Sequence, residues 1–316
     1  MDNLFDPDCS IVQHFKSYSQ EQVEIFIKRE DLLHPQVSGN KLRKLKYNFA
    51  HARENNYATI LTYGGAYSNH IAATAAAGNL LGFKTIGVIR GEELGVDLEK
   101  TLLHNITLRL ATAYGMNLKF VSRNLYRRKN ESSFRDRLIC EYGRFYELPE
   151  GGTNGLAVKG CAEILERDEK SDYDVFAVAA GTGGTAAGVL QSVTSHKKVI
   201  VCGALKGKFL KAEIEQLAAG KPFDFFDDSE FGGYAKSRDE LIGFMNLSFR
   251  ESGIPLEPIY TGKLLFKLDK LIRAGYFKPK TRILAIHTGG MQSISSYNQI
   301  LNKKGRLQLN YLHEIS

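Results

Sequence analysis

The sequence predicts an α/β protein of two domains, with twisted, mostly parallel sheets and helices on both faces. Three observations predict it. Short apolar runs alternate with helical patterns along most of the chain, the order from which parallel sheets are built. Glycine-bearing loops at 63–70, 181–185 and 287–293 each stand between an apolar run and a helix, where open α/β sheets hold their ligands. The chain has 316 residues, enough for a large core and, on length, about two domains.

In chain order, "VSGNKLRKLKYNF" (37–49) reads as a basic helix entered through Ser38-Gly39-Asn40, with Lys41 directly after. A lysine on a helix face is usually a solvated charge. At a helix entrance, oriented N–H groups and neighbouring cations disfavour the ammonium form and free the amine as a nucleophile. "ATILTYGG" (58–65) is a strand, 68–82 a helix, 84–91 a strand, 99–114 a helix and 118–122 a strand. The segment 123–152, charged and then carrying Pro-Glu-Gly-Gly, reads as a crossing between domains. The expected division is a small domain over 44–150 and a large one from 1–43 with 151–316. The second half continues with helix 155–167, strand 174–180, helix 184–194, strand 198–205, helices 208–219, 237–252 and 262–275, strand 282–288 and a last helix from about Met291.

Composition narrows the function classes. A chain 43% hydrophobic and 24% charged is that of a soluble globular protein. The net charge of +7 suits anionic small molecules, and no arginine-rich tail or aromatic-basic motif concentrates it for nucleic acid. The acidic start "MDNLFDPDCS" lacks signal-peptide order, and the longest apolar stretch, "VFAVAAGTGGTAAGVL", is broken by glycines, so no membrane span is expected. Cys9, Cys140, Cys161 and Cys202 are scattered, with no metal spacing. Free thiols in a reducing cytoplasm, and no metal, are the expectation.

Three loops carry the chemistry. In "AVAAGTGGTAAG" an apolar strand ends in Gly181-Thr182-Gly183-Gly184-Thr185 before a small-residue helix; converging N–H groups and the helix dipole suit a phosphate. Read as G-x-G-x-x-A it is a dinucleotide fingerprint, but the next strand ends in Ala204-Leu205-Lys206, with no acid for a ribose and only Lys206 for an extra phosphate. In "YGGAYSNH", Ser68 or Asn69 caps a helix, or the open N-terminus with those two side chains seats a carboxylate; His70 alone reads first as a packed side chain. In "HTGGMQS", Thr288 directs a hydroxyl into a cleft or simply links strand to helix. Tyr234 and Tyr260, each beside a glycine before a helix, are candidates for stacking or proton transfer, although tyrosine is also a common core residue.

Taken in order, "KREDLLHPQVSGNKLRKLKYN", "SNH", "GTGGT", "YTGK" and "HTGG" resemble the pyridoxal-phosphate enzymes of the tryptophan-synthase-β fold type (fold type II), specifically the family of 1-aminocyclopropane-1-carboxylate deaminase and D-cysteine desulfhydrase. The resemblance runs from about residue 25 to 295. It implies that Lys41 is the Schiff-base lysine, that Gly181, Thr182, Gly183, Gly184 and Thr185 hold the cofactor phosphate, and that Asn69 bonds its phenolic oxygen. Tyr260 would lie against the pyridine ring, with Thr288 and Thr261 near the ring nitrogen. Ser68 and Tyr234, together with Asn69 and His70, would face the substrate.

The cyclopropane-opening branch usually carries Glu after the tyrosine, Leu after the last-strand histidine and Gln after Ser-Asn. Thr261, Thr288 and His70 stand there instead and point to the desulfhydrase branch. The resemblance thus implies β-elimination on a small D-amino acid such as D-cysteine by a cytoplasmic homodimer. The alternatives within enzymes are 1-aminocyclopropane-1-carboxylate deamination and a D-serine lyase or racemase. From other classes come an NADP-dependent reductase and a non-catalytic protein that binds cofactor or amino acid.

Overall fold

A computed structural model of the chain describes residue 4 and residues 10–311 except 206, 208 and 229; Cys9 and Lys206 lie outside the described residues. The chain opens with an antiparallel hairpin, β1 (Val12–Tyr18) and β2 (Val23–Lys28), followed by helix α1 (Asn40–Glu54). Next come β3 (Thr59–Gly65), α2 (Asn69–Leu81), β4 (Lys84–Arg90), α3 (Leu98–His104), α4 (Ile106–Ala113) and β5 (Asn117–Val121). Helices α5 (Arg123–Arg127) and α6 (Ser132–Tyr142) lead into β6 (Tyr146–Leu148). The second half runs α7 (Gly155–Cys161), α8 (Arg167–Asp172), β7 (Val175–Ala180), α9 (Gly184–Ser192), β8 (Lys198–Gly203), α10 (Phe209–Leu217) and β9 (Asp224–Phe226). It ends with α11 (Asp239–Ser252), α12 (Thr261–Arg273), β10 (Arg282–Ile286) and α13 (Ser293–Lys303).

These strands form two sheets, one of six strands in the order β1-β2-β10-β7-β8-β9 and one of four in the order β5-β4-β3-β6. Every pairing outside the first hairpin is parallel. Parallel strands need covered faces, which explains their continuous apolar runs. All of β7 is buried. One face of the six-stranded sheet packs on Leu241, Leu264, Leu268 and Ile294, the other on Ala187, Leu190 and Ile214. In the four-stranded sheet, Ile60 packs with Leu42, Leu45 and Phe49 of α1, while Tyr63 and Val88 pack with Phe134 and Leu138 of α6.

The structure departs from the sequence reading where a polar side chain ends a helix or a pairing partner is distant. The helix expected over 99–114 breaks at Asn105, whose side chain accepts from Leu108 N and caps a new helix. The helix expected over 155–167 stops at Cys161, and a capping box of Glu166 and Glu169 starts the next. The stretch 123–152 does more than cross: its β6 pairs with β3 (Ile60 beside Tyr146) and completes the smaller sheet.

Candidate active site

The three glycine-bearing loops meet. Residues from 65–70, 181–185 and 288–290 line one cavity of about 400 Å³, together with Lys41 and Lys44 of α1. Its size is that of an ordinary small-molecule site.

Lys41 reaches this cavity because α1 starts on top of the 288–290 loop. Gly39 turns the chain into α1 with φ of +64°, and a Cβ there would sit 2.1 Å from the Thr288 carbonyl oxygen. Asn40 N–H donates to that carbonyl at 3.2 Å. The Lys41 Nζ donates to Asn40 Oδ1 at 2.8 Å, and Asn40 Nδ2 donates to Thr185 Oγ1 at 2.6 Å. One amide therefore ties the amine to the 181–185 turn. Burial, with the nearby Lys44 charge adding to it, lowers the Lys41 pKa to about 7. The amine is substantially neutral near physiological pH.

The 181–185 turn is an anion cradle. Gly183 stands at the N-cap of α9 and offers no side-chain cap, so the first-turn N–H groups are left for a ligand. Tyr260 closes the cradle so tightly that a Cβ on Gly181 would lie 3.0 Å from its hydroxyl. Lys44 was not singled out from sequence, yet its Nζ donates to Thr153 Oγ1 and Gly151 O at 2.9 Å and reaches Thr182 Oγ1 at 3.3 Å. Its three-residue spacing from Lys41 was the available signal, since residues at that spacing share a helix face. Burial lowers its pKa to about 8, a cost that a phosphate beside it would relieve.

At the second loop, Ser68 is the N-cap of α2 but makes no side-chain cap bond. Its hydroxyl is thus unengaged at the cavity wall, beside an open helix N-terminus. Asn69 Oδ1 accepts from Gln292 Nε2 at 2.9 Å, which joins α2 to the segment after Gly290. His70 lines the cavity with both ring nitrogens turned to threonines. It is 1% exposed, its Nε2 is 2.7 Å from Thr62 Oγ1 and its Nδ1 is 3.4 Å from Thr74 Oγ1. Burial first, and then the charges of Lys41 and Lys44, hold its pKa well below the ordinary value. It is a neutral wall residue.

Tyr234 and Tyr260 both line the cavity and meet edge to face, with ring centroids 6.3 Å apart. Burial, with Tyr234 beside it, raises the Tyr260 pKa well above its ordinary value and keeps the phenol protonated. The buried Glu257 sets the Tyr260 backbone: its carboxylate accepts from Ile259 N at 2.7 Å and Tyr260 N at 2.8 Å. Burial raises the Glu257 pKa to about 7 against the pull of those N–H groups. His287, fully buried, donates from Nε2 to Pro255 O at 2.9 Å and accepts from Gly289 N at 3.2 Å. It thereby couples the two loops that carry Tyr260 and Thr288.

The two threonines part company. Thr288 lines the cavity, whereas Thr261, the first residue of α12, is fully buried and outside the lining, its hydroxyl without a hydrogen-bond partner. The structure thus places Thr288, and not Thr261, in the wall of the cavity. Among the described residues no cluster could hold a metal ion and no helix is long and apolar enough to cross a membrane.

A buried amine and an anion cradle in one cavity suit a phosphorylated aldehyde. The donors present suit that group: Lys41 for the aldehyde, and Thr182, Thr185, Lys44 and the α9 N-terminus for the phosphate. Comparison with known proteins agrees. Residues 11–289 match the family model described as pyridoxal-phosphate dependent enzyme. A bifunctional D-cysteine desulfhydrase/1-aminocyclopropane-1-carboxylate deaminase of Arabidopsis thaliana, described as mitochondrial, is 29% identical over 299 residues (85% of this chain, 72% of the relative). A D-cysteine desulfhydrase of Serratia proteamaculans is 29% identical over 296 residues (87% and 89%). The crystal structure of an ACC deaminase homologue superimposes with a TM-score of 0.77 at 26% identity, covering 93% of each chain. These matches set aside the NADP-dependent reductase. The chain belongs to the family of pyridoxal-phosphate dependent enzymes, of fold type II.

Proposed function

We propose that the protein is a lyase that removes the β-substituent of a small D-amino acid, D-cysteine first among them, releasing pyruvate and ammonia and, from cysteine, sulfide. The observation that carries this reading is the junction of Lys41, Asn40 and Thr185, which sets a near-neutral amine beside a phosphate cradle. The desulfhydrase relatives supply the choice of substrate.

Bound pyridoxal phosphate supplies an electrophilic aldehyde and an electron-withdrawing ring that favours loss of the α-proton. The rest falls to this chain. Thr182, Thr185, Lys44 and the N-terminus of α9 would hold the phosphate, and Gly181, Gly183 and Gly184 would let the backbone approach it. Lys41 would anchor the cofactor through Nζ, and the same amine would take the α-proton of the substrate, for which a pKa near 7 is well matched. Ser68 and the start of α2 seat the substrate carboxylate, with Asn69 between substrate and cofactor. Tyr260 would flank the ring and Thr288 would supply a hydroxyl near the ring nitrogen, where a hydroxyl, unlike a carboxylate, would not hold that nitrogen protonated.

A second reading, opening of 1-aminocyclopropane-1-carboxylate, is favoured by the Tyr234 and Tyr260 pair over the cavity. That substrate has no α-hydrogen, so a phenol would have to serve where Lys41 serves in elimination. We further read the chain as a cytoplasmic homodimer whose two sheets divide it into domains over 44–150 and over 1–43 with 151–316.

The test is product release from the purified holoenzyme with D- and L-amino acids and the cyclopropane acid. Pyruvate from D-cysteine supports the first reading and 2-oxobutyrate from the cyclopropane acid the second. Neither product from any of them would leave a racemase, told by loss of optical rotation in the same mixtures, or a non-catalytic binding protein.

A further inference from the structure

The cavity is lined by three cationic side chains, Lys41, Lys44 and Arg90, and by one carboxylate, Glu150. Two of the cations have partners: Lys44 serves the phosphate cradle and Lys41 the aldehyde. Glu150 is engaged by Lys129 at 3.2 Å. Arg90 is left over.

Its position is built rather than incidental. Arg90 ends β4 in register with Gly65 of β3, and its Nη2 lies 3.7 Å from where a Cβ on Gly65 would stand. The guanidinium therefore overlies the start of the loop that carries Ser68. It rests on the ring of the buried Tyr126, 5.8 Å from the centroid, and Lys129 lies near the same ring at 5.0 Å. A cation this near a ring face is attracted by the ring's quadrupole while its N–H donors stay available. No carboxylate among the described residues pairs with it. A planar, partly exposed guanidinium at the rim of a small-molecule cavity is suited to a second anion, which it can grip through two parallel hydrogen bonds.

We propose that Arg90 binds a second anionic group on the substrate, so that besides D-cysteine the site takes small α-amino acids whose side chain or β-substituent ends in a carboxylate, sulfinate or phosphate, and holds these more tightly than neutral amino acids of the same size. This rests on the reading that Ser68 and the start of α2 seat the α-carboxylate. With that seat and the phosphate cradle both filled, Arg90 is the cation that a further negative group would meet, and Glu150 with Lys129 beside it adds no net charge to oppose it.

The experiment measures binding separately from turnover. The visible band of the holoenzyme is titrated with neutral D-alanine and D-serine and with anionic D-aspartate and O-phospho-D-serine, for wild type, Arg90→Gln and Arg90→Lys, and pyruvate is assayed in parallel. Wild type should bind the anionic ligands about tenfold or more tightly than the neutral ones, as a charge-assisted contact allows. Arg90→Gln should erase that preference, Arg90→Lys should keep part of it, and added salt should weaken it. Equal loss of all four ligands in Arg90→Gln would place the guanidinium on the α-carboxylate and overturn the proposal. So would an unchanged preference. A preference that depends on Arg90 without pyruvate from any of these ligands or from D-cysteine assayed beside them would uphold the proposal and refute elimination; a wild-type band that no ligand perturbs would overturn both.

Discussion

Lys41 Nζ and Thr185 Oγ1 are bridged by a single side chain, Asn40, through hydrogen bonds of 2.8 and 2.6 Å. Adjacent residues on α1 thus hold the nucleophile and one wall of the phosphate cradle in a fixed relation. Replacing Lys41 by Ala should abolish the visible cofactor band that responds to borohydride and lower turnover about a thousandfold or more. A variant that keeps both would remove Lys41 from its role.

Lys44 should act through the phosphate alone. Lys44→Met is expected to weaken pyridoxal phosphate binding to the apoprotein by roughly 10- to 100-fold, the size of a charge-assisted contact. Pyridoxal, which lacks the phosphate, should be little affected. Fluorescence titration of both ligands checks this, and an equal loss for the two would contradict it.

The depressed Lys41 pKa makes apoprotein stability depend on pH. Its folded value of about 7 lies below the ordinary 10.5. Below the folded value both states hold the proton and the folded state bears the full cost of a buried charge. Between about 7 and 10.5 the unfolded chain binds more protons, so stability rises with pH, and the cost is gone above that window. Apo Lys41→Met should therefore melt above wild type at pH near 6 by a margin that shrinks towards pH near 10. Thermal denaturation across that range tests it; a margin independent of pH would exclude the titration of Lys41 as its source.

Gly39 admits no side chain. With a φ of +64° and the Thr288 carbonyl 2.1 Å from its would-be Cβ, Gly39→Ala must strain the turn and push α1 off the 288–290 loop. A loss of about 2–4 kcal/mol in unfolding free energy is expected. Denaturant titration reads it, and a neutral result would mean that the turn relaxes freely.

Thr288 and Thr261 are separable by matched variants. Thr288→Val removes a hydroxyl from the cavity and should lower turnover. Thr261→Val removes a buried hydroxyl that has no partner, so stability should be unchanged or raised by up to ~1 kcal/mol, with turnover intact. Loss of activity in Thr261→Val would restore that residue to the site.

The alternation of strand and helix, the three glycine-bearing loops and the lysine at the entrance of α1 are legible from the order of residues alone. Each of these is a local signal, written in periodicity or in a residue that tolerates unusual backbone. Motif order was enough to reach the cofactor. Which side chains share the cavity depends on the packing of the sheets. That packing turned Lys44 onto the cradle, drew His70 into hydrogen bonds with Thr62 and Thr74, buried Thr261 while leaving Thr288 open, and brought Glu257 under Tyr260. It also paired β6 with β3 across more than eighty residues of chain. The reason is physical: a backbone turn is governed by its neighbours in sequence, whereas burial, charge and hydrogen-bond partners come from segments that meet only when the sheets are packed.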